Sequence, residues 1–156
     1  MKKRLSIFLL ALTLTLVSCK GEASSARSVA EGYAAAMPEM AGERVIFSAG
    51  AGLSDREYLS PGDLADLYYN GKPDAGETAL LDDWCVIMAA SPEVAEVHVL
   101  RVRRRSDVTA VARMVEARAR VLRSPELFAA RSDFFGSRPE NVQVTVDGKF
   151  VILTAS

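Results

Sequence analysis

The chain has 156 residues, with 19 basic and 20 acidic side chains and a formal net charge of −1. That balance excludes an overall nucleic-acid-binding composition, and 49% apolar residues are enough for one domain with a real hydrophobic core.

The first element is a leader. Lys2, Lys3 and Arg4 precede Leu5 to Val17, which carry no charge. Such a run suits the apolar region of a signal peptide and falls short of the roughly 20 residues a membrane-spanning helix needs. It closes on Leu16-Val17-Ser18-Cys19, which reads as a lipobox, cut before a cysteine that carries lipid. An ordinary secretory cleavage site wants small residues at the first and third positions before the cut, and only Ser18 is small. An ordinary secreted protein and an uncleaved anchor are the alternatives. One acyl chain holds a protein only marginally, so a diacylglyceryl group on the Cys19 sulfur supplies the two chains that stable attachment requires. The expected address is the extracytoplasmic face of a cell membrane.

Loss of residues 1–18 removes three basic residues and no acid, leaving a net charge of −4. Cys85 is then the one unmodified thiol, so no intramolecular disulfide is open to it. It lies in the apolar run Trp84-Cys85-Val86-Ile87-Met88 and reads as a buried structural thiol rather than a reactive one. Residues 20–25 form a tether whose six residues reach about 20 Å when extended.

A single domain is expected over 26–156. Ser24 or Ser25 caps a first helix, about Ala26 to Met37, with Val29, Tyr33 and Met37 on one face. Arg44 to Ser48 is a possible short strand, and Ala49 to Gly52 a loop. Ser60-Pro61-Gly62-Asp63 opens a second helix with Ser60 as cap and Leu64, Leu67 and Tyr68 inward. It stops at Asn70-Gly71-Lys72-Pro73. Asp83–Ala89 is apolar at nearly every position, the pattern of a strand covered on both faces. Ser91-Pro92 turns the chain into a strand over Val94–Arg103.

Ser106-Asp107 caps the longest helix, Val108 to Arg123, whose core stripe is Val108, Val111, Ala112, Val115, Ala119 and Leu122. Ser124-Pro125 ends it, and residues 125–135 hold a further helical turn. Val142–Val146 and Lys149–Thr154 flank Asp147-Gly148, the dipeptide of a type I′ hairpin turn. That loop pairs Val144 with Val151 and Val142 with Leu153. The sum is an α+β domain with a mainly antiparallel sheet of about four strands. The long helix covers one face and the two N-terminal helices part of the other.

With these elements in place, the chain resembles a family of small lipoproteins of Gram-positive bacteria known as domain of unknown function 4358. The likeness covers most of residues 19–155. It is carried by the lipobox, a helix ending near Leu67-Tyr68, and the strand Ala95-Glu96-Val97-His98-Val99-Leu100-Arg101-Val102 leading into a long charged helix. The aromatic pair Phe134-Phe135 and the closing Gly148-Lys149-Phe150-Val151-Ile152-Leu153 complete it. The arginine-rich helix and Phe150, where tyrosine is common, depart from the pattern. The resemblance implies a surface lipoprotein domain and transfers no activity.

No catalytic constellation stands out. His98, the one histidine, sits mid-strand, where packing or structural hydrogen bonding outweighs a catalytic or ligand role. One histidine and one free cysteine do not make a histidine-based zinc site. Asp74, Glu77, Asp82 and Asp83 lack the alternating oxygen ligands of a calcium loop and read as a solvated acidic segment. Trp84, Tyr68, Tyr69, Phe134 and Phe135 either pack the core or line a groove.

Charge is segregated along the chain. Residues 55–96 carry a net −8 and residues 101–131 a net +6. The outer face of the long helix carries Arg113, Arg120 and Arg123 around Glu116. It is either a solvated face with local ion pairs or a surface that docks on an anionic membrane, wall polymer or acidic partner. The expected function is therefore a non-catalytic, cofactor-free interaction module, anchored to the membrane through Cys19, with a protein or cell-wall partner and no nucleic acid. The rival is a binder of a small ligand or cell-wall fragment in a pocket between sheet and helices.

Overall fold

The computed structural model describes residues 24–69, 76–90, 94–130 and 137–156. Cys19, the Asn70–Pro73 stop, Asp74, Ser91-Pro92 and Phe134-Phe135 lie outside those residues. In chain order the elements are α1 (Ala26–Ala35), β1 (Arg44–Ser48), α2 (Pro61–Tyr69), β2 (Leu81–Ala89), β3 (Glu96–Val102), α3 (Val108–Arg123), α4 (Pro125–Ala129), β4 (Val142–Asp147) and β5 (Phe150–Ala155). The α+β class is as expected, but the sheet has five strands rather than about four. Their order is β1-β2-β3-β5-β4 and every neighbouring pair is antiparallel.

The two faces of the sheet are covered differently. Val86 of β2, Leu100 and Val102 of β3, and Val151 and Leu153 of β5 pack against α3. Cys85, Ile87, Val97, Val99 and Ile152 point the other way, toward α1. Alternate residues of β2 and β3 thus fill two cores, which is why both strands read as almost unbroken apolar runs. The second helix is not on the α1 side: Leu64 and Tyr68 of α2 belong to the core that α3 closes. What holds α2 there is polar as well as apolar, because Tyr68 and the Leu67 carbonyl both bond into that core.

The face of α1 also differs from expectation. Its buried residues are Ala26, Ala30 and Ala34, whereas Tyr33 is 41% exposed. Small side chains at this spacing let the helix backbone lie close to the sheet, and the larger Val29 and Met37 pack at the margin. Ser25 caps the helix by accepting from the Ser28 N–H at 3.1 Å. Ser60 does the same for α2 through the Asp63 N–H, also at 3.1 Å. Asp107 precedes α3 but makes no capping bond with its side chain. The buried side of α3 runs Val111, Met114, Val115, Arg118, Ala119 and Leu122. It is turned from the expected stripe toward Met114 and Arg118, leaving Val108 and Ala112 half-buried.

The C-terminal hairpin forms with a register two residues from the expected one. Asp147 pairs with Phe150, Val144 with Leu153 and Val142 with Ala155, so Gly148 and Lys149 make the loop. A shift of two preserves which side chains share a face, so Val142, Val144, Val151 and Leu153 still meet α3, while Val146 is exposed. Lys149 is fixed at this corner: its carbonyl accepts from the Val102 N–H at 3.0 Å and its ammonium donates to the Arg103 carbonyl at 2.7 Å. Gly148 takes φ +59°, and a Cβ there would meet no atom within 4 Å. Gly148→Val therefore costs backbone strain alone, roughly 1–2 kcal/mol. Chemical denaturation should show that loss, and an unchanged midpoint would contradict this turn.

Candidate functional site

Glu96 at 3% exposure, His98 at 0% and Arg118 at 2% are buried in the core between the sheet and α3. Strand alternation puts Glu96 and His98 on the same face as Leu100. Arg118 reaches them because it lies three residues after Val115 and four before Leu122, within the apolar stripe of α3. Its Nε donates to Glu96 Oε2 at 3.0 Å, and its Nη2 donates to Oε1 to complete a two-pronged pair. Nη1 donates to the Leu67 carbonyl at 3.3 Å, tying α2 to α3.

His98 extends the cluster. Its Nδ1 is 2.9 Å from the hydroxyl of buried Tyr68, and the two rings meet edge to face with centroids 5.6 Å apart. Nε2 lies 3.1 Å from Glu96 Oε2, off the line of a proper hydrogen bond. With Tyr68 donating to Nδ1, the imidazole proton sits on Nε2, the ring nitrogen nearer the Glu96 carboxylate. Burial would push the Glu96 carboxyl up, but Arg118 and His98 outweigh it and hold it at about 2. Burial pushes His98 below its ordinary value, against the pull of Glu96. At neutral pH the cluster is an ionised pair beside a neutral imidazole. No described cavity is lined by Glu96, His98 or Arg118. The cluster's hydrogen bonds join β3, α2 and α3.

The other candidates are placed as follows. Cys85 is buried and unpaired, and burial pushes its thiol up to about 12, so it is inert as a nucleophile. Glu77 accepts from the Tyr69 hydroxyl at 2.6 Å, Asp82 from Arg101 Nε at 2.8 Å, and Asp83 from the Ala26 N–H at 2.7 Å. Each of these acids thus serves a protein donor. Trp84 is half-buried and lines an apolar cavity of about 330 Å³ with Leu59, Pro61, Leu64, Thr78 and Ala79.

On α3, Arg113, Arg120 and Arg123 are exposed and line a shallow groove with Glu116 and Ser124. Arg123 pairs with Glu116 and donates to the Val142 carbonyl from Nη2 at 3.2 Å. Part of this face is thus engaged locally, as an exposed helix with both charge signs tends to be.

Sequence reasoning passed over the end of the domain where the chain enters. The Ala26 N–H is held by Asp83, and Arg101 Nη1 donates to the Ser24 carbonyl at 3.3 Å. Arg27 clamps Glu57 with both Nη atoms, tying the loop after β1 to the first turn of α1. The antiparallel order brings to this same end the start of β2, the end of β3, the β4–β5 turn and the start of α3. Arg120, Arg123 and the start of β4 are at the opposite end.

No family model matches this chain, and neither a curated protein nor a solved structure matches it. Among the described residues no helix is long and apolar enough to cross a membrane.

Proposed function

We propose that this protein is a lipoprotein held at the extracytoplasmic face of a cell membrane through Cys19, and that its folded domain is a non-catalytic interaction module of the cell envelope. The observation that carries the reading is the lipobox Leu16-Val17-Ser18-Cys19 behind a basic, uncharged-core leader, placed a few residues before the domain. The buried Glu96–Arg118 pair supports the non-catalytic half, because its charges are spent on each other and on α2. The family resemblance adds no activity to it.

Arg113 and Arg120 remain the groups on the outer face of α3 suited to an acidic protein or wall polymer. The apolar cavity beside Trp84 favours a second reading, a binder of a small apolar ligand. Replacement Cys19→Ser tests the anchor: processing should stop and the chain should keep its leader. Normal cleavage of that variant to a soluble product would overturn the proposal.

A further inference from the structure

Two surface features coincide at the end of the domain where the chain enters. The first is basic. Arg103, Arg104 and Arg105 follow β3 in succession and are exposed, with Lys149 bonded to the Arg103 carbonyl beside them. Arg103 donates to the Leu81 carbonyl at 2.9 Å, and among the described residues Arg56, Arg104 and Arg105 form no ion pair. The acids at this end are mostly engaged: Asp82 and Asp83 with Arg101, and Glu57 with Arg27. Asp55 accepts from the Gly52 N–H at 2.7 Å, Asp107 from Ser106, and Asp147 is exposed. Counted with Glu31, which also pairs with Arg27, cations and acids at this end nearly balance, and the basic excess is local to Arg103, Arg104, Arg105 and Lys149.

The second feature is apolar. Leu53, at the tip of the loop after β1, is 84% exposed, the most exposed large hydrophobic side chain described. A single exposed leucine is ordinary on a protein surface. This one projects from the loop that Arg27 ties to the start of α1, next to exposed Arg56.

We infer that this end of the domain lies on the membrane, with Leu53 entering the interface and Arg56, Arg103, Arg104, Arg105 and Lys149 facing anionic phospholipid headgroups. The inference rests on the anchor proposed above. From Cys19 to the fixed Ser24 carbonyl is five residues, a reach of at most about 18 Å. A tether that short brings the entry end to the bilayer, within the range of about 8 Å over which charge acts at physiological salt once contact is made. The sheet strands and α3 then stand away from the bilayer. Arg120 and Arg123, toward the far end of a helix about 24 Å long, are presented outward for a partner.

The test uses the full chain purified with its native N-terminus and reconstituted into vesicles. Flotation with vesicles of phosphatidylcholine alone reads the anchor. Orientation is read by Leu53→Trp and, as the far-end control, Leu127→Trp, each with Trp84→Phe so that the introduced ring is the fluorophore, with lipids brominated in the acyl chain as quenchers. On vesicles of equal parts phosphatidylglycerol and phosphatidylcholine, Leu53→Trp should shift to the blue and be quenched, while Leu127→Trp should not. Adding Arg104→Gln, Arg105→Gln and Lys149→Gln, or raising the salt, should reduce that quenching without loss of flotation. A floating protein whose Leu53→Trp is unquenched, or quenched regardless of the arginines, overturns the docking and leaves the anchor standing. Failure to float on neutral vesicles overturns both.

Discussion

Replacing Arg118 by Met should destabilise the domain by about 3–5 kcal/mol, because it strands the Glu96 carboxylate in the core without its partner. Met keeps the aliphatic stem of Arg118, so the loss comes chiefly from the stranded carboxylate and the Leu67 carbonyl left without its donor. The double variant Glu96→Leu with Arg118→Met separates these causes. It removes both charges and should recover most of the stability, since an ion pair taken out of water gains little over apolar groups of like volume. Equilibrium denaturation of the wild type and the two variants gives the comparison. A double variant as unstable as Arg118→Met would show that the pair contributes shape and connection to α2, not merely mutual neutralisation.

Stability should also fall steadily with acid, in two overlapping stages. His98 has a folded value below its ordinary 6.5, so as the pH falls through 6.5 the unfolded chain takes up a proton that the native core refuses. Stability rises with pH wherever the unfolded state binds more protons, so this stage is lost on going from about pH 7 downward. Glu96 has a folded value of about 2 against an ordinary 4.5. Its contribution is present above 4.5 and disappears as the pH drops from there toward 2. Denaturation midpoints taken from pH 8 to 3 should decline throughout, and His98→Gln should flatten the part between 7 and 5. A wild-type profile level between 7 and 5 would mean that the native core takes up the His98 proton as readily as the unfolded chain does.

The elements that sequence pattern located best are those whose burial is one-sided or two-sided over their whole length. Helix α3 runs over Val108–Arg123 as its apolar period requires, because one wrong residue in such a stripe does not move its ends. In the hairpin, the faces were legible and the register was not. Alternation fixes which side chains share a side, but whether Gly148 is the first or the second loop residue depends on its neighbours in β3.

Bulk marks the wrong face of α1, since Val29, Tyr33 and Met37 share a side that is not the buried one. Ala26, Ala30 and Ala34 are buried for the opposite reason, their smallness. The Glu96–Arg118 pair is not in the sequence reading, where the charges weighed on α3 are those of its outer face. Its signal was there: Arg118 continues the Val111, Val115 and Leu122 stripe, and Glu96 and His98 share the strand face of Leu100 and Val102. The side of the sheet taken by α2 depends on the bonds of Tyr68 and Leu67 with His98 and Arg118, which no local pattern encodes. The proposed anchor stands apart from the fold, in a leader motif read from residue type and spacing alone.

The most direct measurement is the mass of the N-terminal peptide of the protein extracted in detergent from the membrane of the cell that makes it. A chain beginning at Cys19 and carrying a diacylglyceryl group on sulfur is the result predicted. A chain beginning at Met1, or an N-terminus elsewhere with Cys19 unmodified or removed, would contradict the account.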